Sequence, residues 1–302
     1  MIFATLALAA VVYGEPTVKW TAPQTFIKGA PFPVTIELAA SSADELPVWM
    51  AEPAGFSVNG KPLAKRESGK LHLAAGAKLT LEFDLAATLT EAAAGKEFKL
   101  GFGDGKGGPE ISVALMEAAP AGLDFMKMEP ADLAKYQVLL VTNRGSMRFE
   151  VWPDVAPGHV RNFLDLCYTK FYDGTLFHRV KNDFMIQGGD PNTKSDNQAS
   201  WGMGNGPRTL KAEFSKTKKH ERGVLSMARG GDPDSASCQF FVMTGTAQFL
   251  DGQYSTFGKM LDGNDTLTAI GSAQGQVGSD RTVRPKDPQK ILSAIVIVAP
   301  AK

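Results

Sequence analysis

An arginine stands in a run rich in apolar side chains, Phe177-His178-Arg179-Val180-Lys181-Asn182-Asp183-Phe184-Met185-Ile186-Gln187-Gly188-Gly189-Asp190. Strand alternation sets Arg179 and the residues two away from it on one face, with Phe184, Met185 and Gln187 just beyond a turn. Arginine is seldom placed among phenyl and thioether groups unless it has a partner or is held ready for a ligand. Three later blocks carry further candidates: Gly223-Val224-Leu225-Ser226-Met227-Ala228-Arg229, Cys238-Gln239-Phe240-Phe241-Val242, and Phe249-Leu250-Asp251-Gly252-Gln253-Tyr254-Ser255-Thr256-Phe257-Gly258. The chemistry open to such a set is electrostatic, a fixed cationic donor beside an apolar wall. No paired carboxylates and no Ser/His triad motif accompany it. Cys167 and Cys238 form neither a CxxC nor a Cys/His cluster suited to zinc, and too few cysteines are present for a disulfide framework.

The elements that must position these residues read as β almost throughout. In the first part of the chain Lys78–Leu85 alternates polar and apolar without a break. Residues 33–38, 97–100 and 110–115 behave similarly, and Asn59-Gly60 marks a tight turn. About seven short strands over residues 15–118 predict an immunoglobulin-like β-sandwich. Residues 119–135 lose the alternation, hold Pro120, Gly122 and Pro130, and read as a linker. From Tyr136 the strands resume: 136–142, a turn at Asn143-Arg144-Gly145, and 147–151. Pro157 opens a helix in which Val160, Phe163, Leu164 and Cys167 recur at helical spacing. A second short helix is expected at 265–270 and a closing strand at 291–298. Two helices among some eight strands predict a capped barrel over 136–302.

Bulk composition excludes more than it identifies. The 302 residues carry 32 basic and 32 acidic side chains, and 43% are hydrophobic. That supports a real core and roughly two domains, and argues against a dedicated nucleic-acid binder, which needs a basic face. The apolar run Ile2–Tyr13, ending at Gly14, is too short to span a bilayer and has the length of a signal-peptide core. Residues 1–14 are therefore expected to be a signal peptide, with export to the periplasm or outside the cell and no stable transmembrane anchor. No Lys or Arg precedes the run, and a hydrophobic first strand is the other reading.

FHRV…FMIQGGD, RGVLSMAR, SCQFFV and FLDGQYSTFGK, in this order and at these separations, resemble a cyclophilin, a peptidyl-prolyl cis-trans isomerase. The resemblance spans about 136–298 and is closest to compact bacterial-type members. It implies an eight-stranded antiparallel β-barrel capped by two helices, no metal or organic cofactor, and proline-containing polypeptides as clients. By the same resemblance Arg179 is the catalytic arginine and Gln187 the glutamine that orients it. Phe184, Met185, Phe241 and Leu250 match the proline pocket, Gln239 lines the groove, and Ala228 and Arg229 lie on the strand whose main chain pairs with the peptide. Tyr254 stands where many eukaryotic members have histidine. Phe249 replaces the tryptophan of cyclosporin-sensitive members, which puts tight binding of that drug in doubt. Cys238 departs from the more usual serine and reads as a small buried thiol.

Taken singly, Arg179 would be a structural ion-pair partner and the apolar residues ordinary core; their combination favours a site. Alternation points His178 to the opposite face, and His72, His159 and His220 read as structural. Residues 216–220 are a basic solvated loop, 101–108 a glycine-rich hairpin lacking the ending of a phosphate loop, and Trp20 and Trp49 sandwich core. The function expected is X–Pro isomerisation in protein folding. The alternatives are a proline-peptide scaffold without turnover, and an adhesion or chaperone protein led by the first domain, which would bind envelope components or a protein partner.

Overall fold

The computed structural model describes residues 9–11, 17–93, 95–104, 110–279, 281–287 and 289–300. They fall into two compact units, Thr5–Glu117 and Ala118–Lys302. No helix among the described residues is long and apolar enough to cross a membrane.

The first unit contains β1 (Ala9–Val11), β2 (Thr17–Thr21), β3 (Thr25–Phe26), β4 (Pro33–Ala39), β5 (Asp44–Pro47) and β6 (Phe56–Val58). It continues with β7 (Lys61–Pro62), β8 (Lys70–Leu73), β9 (Lys78–Asp84), α1 (Ala86–Ala92), β10 (Glu97–Phe102) and β11 (Glu110–Leu115). One sheet runs β1-β2-β4-β9, a second β3-β11-β10-β6-β7, and β5 pairs with β8 alone. All ladders are antiparallel except β3 with β11. The alternation that predicts these strands becomes burial: Val34, Ile36 and Leu38 of β4 point inward, where Trp20 meets Phe56 edge-on at 5.6 Å. Trp20 is therefore core, whereas Trp49 is half-buried with the Arg66 guanidinium 4.2 Å above its ring. Asn59 and Gly60 both adopt positive φ, 49° and 77°, and close the two-residue hairpin between β6 and β7. That is the primed turn whose twist matches the flanking strands. Residues 101–108 join the antiparallel neighbours β10 and β11, though 105–108 lie outside the described residues. Most of the expected signal segment 1–14 also lies outside them; the backbone of Ala9–Val11, within it, pairs antiparallel with β2.

The second unit comprises α2 (Pro130–Leu133), β12 (Tyr136–Thr142), β13 (Gly145–Val151), α3 (Pro157–Tyr168), β14 (Arg179–Lys181), β15 (Met185–Gly188) and β16 (Val224–Met227). Then follow β17 (Phe240–Met243), β18 (Thr256–Asp262), α4 (Asn264–Gly271), β19 (Gly275–Val277), β20 (Val283–Pro285) and β21 (Ile291–Val298). Proline opens α3, and its stripe of Val160, Phe163, Leu164 and Cys167 is buried as the spacing predicts. Phe163 packs on Tyr172, Phe240 and Phe257 at ring distances of 5.1–5.6 Å, the centre of the core.

Two features of this unit differ from what the sequence pattern suggests. The ladders do not form a closed eight-stranded barrel; among the described residues they form an open ten-stranded order, β19-β20-β14-β15-β17-β16-β18-β13-β12-β21. The β19–β20 hairpin occupies the outer edge of β14. Opposite it, the approach of residues 174–177 to 289–291 is a single bridge, Leu176 with Lys290, flanked by backbone bonds. The segment 119–135, expected to be a linker, packs onto the second unit. Phe125 is fully buried, its ring edge-on to Tyr136 and Tyr168 at 5.1 and 5.3 Å, and Leu133 is buried in the same core. Arg161 Nε donates to the Met128 carbonyl and the Tyr168 hydroxyl to that of Pro120. Single large side chains on one-turn elements hold this strap, so no period reveals it.

Candidate active site

Register builds the site. Arg179 on β14 pairs directly with Gln187 on β15, Gln187 with Phe241 on β17, and Phe241 with Ser226 on β16. Directly opposed residues share a face, so these four side chains form one row across four adjacent strands. Met185, two residues before Gln187, joins the same face. After Gln187 the chain turns through Gly189 at φ 83°, where a Cβ would lie 2.8 Å from the Cys238 carbonyl oxygen. Only glycine fits that approach.

Within the row a relay of amides fixes the arginine. Arg179 Nη1 donates to Gln187 Oε1 at 3.0 Å, and Met185 Sδ lies 3.9 Å from the same nitrogen. Gln187 Nε2 donates to Gln239 Oε1 at 3.0 Å. Gln239 Nε2 donates in turn to the carbonyls of Gly202 and Gly204, both at 2.9 Å. Each amide is thus oriented by the next, ending on main chain.

The guanidinium borders a cleft of about 390 Å³ lined also by Phe184, Met185, Gln187, Ala228, Arg229, Phe241, Phe249, Leu250 and Tyr254. Met185, Phe241 and Leu250 are buried and form its floor and walls. Phe184 stacks on Phe249 at 5.7 Å, forming an aromatic lip; Phe249 itself is 66% exposed. Phe249 and Leu250 ride on a single 3-10 turn, Gln248–Leu250. Tyr254 meets Phe241 edge-on at 5.9 Å, and the Arg229 guanidinium lies 4.6 Å over the Tyr254 ring while donating to the Gln253 carbonyl. The Ala228 N–H donates to the Gln239 carbonyl, so that donor is engaged within the protein.

Ten of the eleven residues singled out in the sequence therefore line one cleft. Gln239 is the exception, bordering an adjoining cleft of about 260 Å³ that shares Gln187, Ala228 and Arg229. His178 borders a third cleft, of about 560 Å³, together with Arg179 and Gln187. It is 6% exposed, and burial holds its pKa below the ordinary imidazole value. Cys238 is buried, and burial pushes its thiol up to about 12, which removes it as a nucleophile at neutral pH.

Sequence reasoning missed a set behind the floor. His220, read from the sequence as structural, has Nδ1 2.9 Å from Asp251 Oδ1 and Nε2 3.1 Å from Ser226 Oγ. The three lie 6 and 31 residues apart from His220 along the chain, a spacing that no local motif encodes.

With this geometry stands the family. Residues 137–296 match the model for the cyclophilin type peptidyl-prolyl cis-trans isomerase, and the chain belongs to that family. Peptidyl-prolyl cis-trans isomerase 10 of Caenorhabditis elegans is 39% identical over 165 residues, 54% of this chain and 96% of the relative. A peptidyl-prolyl cis-trans isomerase of Acinetobacter baylyi is 36% identical over 53% of this chain and 85% of its own length. The structure of a cyclophilin type isomerase from Cryptosporidium parvum aligns at a TM-score of 0.48 and 30% identity, covering 54% of this chain and 98% of that one. The chain is accordingly a peptidyl-prolyl cis-trans isomerase, and its first unit precedes the matched residues.

Proposed function

We propose that the cleft rotates X–Pro bonds by seating the proline ring against Phe241, Met185 and Leu250 while Arg179 stabilises the twisted imide. Rotation about a peptide C–N bond costs about 18–20 kcal/mol because resonance gives it double-bond character. X–Pro bonds populate both isomers yet interconvert over tens to hundreds of seconds. In the twisted transition state the proline nitrogen becomes pyramidal and regains its lone pair. A guanidinium N–H aimed at that nitrogen has nothing to bond in the planar ground state, so it lowers the barrier selectively. A hydrogen bond to a charged group contributes about 1.5–3 kcal/mol, roughly 10- to 150-fold in rate. The apolar walls supply more: they hold the ring while the preceding carbonyl swings, and desolvating that carbonyl weakens the charge-separated resonance form. No proton is transferred in this scheme.

The observation that carries this reading is the Arg179–Gln187–Gln239 relay beside an apolar wall. Isomerisation of a proline peptide by wild type and Arg179→Ala tests it. A loss of roughly 10- to 150-fold in kcat is expected; equal activity sinks the mechanism. Saturable peptide binding without rate enhancement in the wild type favours the scaffold reading instead.

For the first unit we propose an immunoglobulin-like sandwich that engages folding clients, envelope components or a partner, supported by its two sheets around one buried core. Deleting it is expected to impair refolding of protein clients more than turnover of short peptides. Export is proposed from the run Ile2–Tyr13. Cleavage after Gly14 would remove β1 and leave β2 as a sheet edge. Sequencing the mature N-terminus decides: a start at Glu15 supports export with cleavage, and retention of Ala9–Val11 overturns it.

A further inference from the structure

Asp251, His220 and Ser226 stand in the order of a hydrolase triad, but the serine is sealed. Ser226 is wholly buried and His220 is 1% exposed. The Ser226 hydroxyl also donates to the Ser255 carbonyl at 3.1 Å. No substrate reaches that oxygen, so a nucleophilic role is excluded on geometry.

What the histidine touches gives it another role. Its ring stacks on Phe241 with centroids 6.0 Å apart and planes 14° apart. Its backbone N–H donates to Asp251 Oδ1 at 2.9 Å, the same oxygen its ring reaches, and its carbonyl accepts from the Ala247 N–H at 2.9 Å. His220 therefore grips both ends of the turn 247–251, whose middle residues are Phe249 and Leu250. Phe241 belongs to β17, whereas the turn belongs to no ladder. Two parts of the cleft lining thus come from separate elements, and one residue stacks on the first and hydrogen-bonds to the second.

We propose that His220 is a positioning residue for the isomerase, fixing the Phe241 wall and the Leu250 turn to one another so that the proline pocket keeps a single width. This rests on the isomerase reading of the cleft. A pocket of unfixed width binds the planar and twisted forms of proline less well alike. Such a uniform loss raises KM and leaves kcat nearly unchanged. The charged groups facing the ring are Asp251 and Lys219, whose Nζ lies 3.6 Å from Asp251 Oδ2. Burial, opposed by Asp251, holds the imidazole below its usual pKa. Protonation at lower pH puts a charge against Phe241 and alters the grip.

The test measures kcat and KM for a chromogenic proline peptide with the full chain as wild type, Arg179→Ala, His220→Ala, His220→Asn and His220→Phe, each checked by circular dichroism to be folded at the assay temperature. His220→Ala is expected to raise KM about tenfold with kcat within about twofold. Asn keeps a donor for Asp251 and Phe keeps the ring against Phe241, so each is expected to recover part of the loss. Wild-type KM is expected to change as pH falls through the lowered pKa of His220, below the ordinary imidazole range, and to change less in His220→Phe. If His220→Ala does not fold, the Asn and Phe variants and the wild-type pH profile carry the test. Unchanged KM in every folded variant, or a fall in kcat at constant KM, overturns the proposal. A loss in Arg179→Ala beside unchanged His220 variants removes only this inference; equal activity of wild type and Arg179→Ala removes the mechanism beneath it.

Discussion

Gln187 uses both ends of its amide on the site, accepting from Arg179 and donating to Gln239. Truncation leaves the guanidinium without its orienting acceptor. A positioning hydrogen bond contributes about 0.5–1.5 kcal/mol, so Gln187→Ala should lower kcat by up to roughly tenfold in the peptide assay. Gln239→Ala, one step further along the relay, should cost less; the reverse ranking would mean that Gln239 acts on substrate directly. Arg179→Lys is not conservative here, because an ammonium lacks the planar fork that meets Gln187 on one side and, in the proposed mechanism, substrate on the other. Both cysteines are buried with thiol pKa raised by burial, to about 12 in Cys238. Neither should react with a thiol reagent until the chain unfolds, and prompt labelling of the native protein would contradict the buried placement.

At the scale of elements, the exit from β15 is the stiffest requirement. Gly189→Ala would set a methyl 2.8 Å from the Cys238 carbonyl and from the Tyr172 ring, in a backbone conformation unsuited to alanine. A loss of about 1–3 kcal/mol is expected in denaturant unfolding, with kcat falling as Gln187 moves. The strap before β12 is the second such element. Phe125→Ala should cost about 3–5 kcal/mol, the usual range for an excavated core phenylalanine. A change near zero would return 119–135 to the status of a free linker. Histidines of the second unit also set how stability varies with pH. His178 and His220 both have folded pKa values lowered by burial, so below about 6.5 the unfolded chain takes up protons that the native state resists. Their contribution is complete above that pH and is lost as pH falls towards the folded values. Glu213 and Asp251, lowered by hydrogen bonds from His159 and His220 that outweigh their burial, add to the loss at lower pH. Burial raises Asp173 and Asp262, which act in the opposite sense near pH 4. Thermal melts should therefore fall between pH 7 and 5, and a rising midpoint would contradict the burial of the two histidines.

For the molecule as a whole, three hydrophobic clusters are drawn from two separate stretches of chain. One uses residues between Val18 and Leu115, the other two residues between Ala119 and Val296, the smaller of them holding Met185, Phe241 and Leu250 of the cleft. A chain beginning at Ala118 should fold and turn over short proline peptides like the full protein. One beginning at Tyr136 lacks Phe125 and Leu133 and should melt lower, a comparison that circular dichroism settles. What the sequence determined by itself was whatever has a local period or a contiguous motif. β4 and β9 show in alternation, α3 in its stripe, and the cleft residues in four short blocks whose order and separations resemble a family's motifs. Tertiary structure alone decided the strap, the open ten-stranded order and the His220 grip on Asp251 and Ser226. Those depend on single side chains meeting partners from other elements, and a buried hydrogen bond or one anchored phenyl ring leaves no period in the chain that carries it.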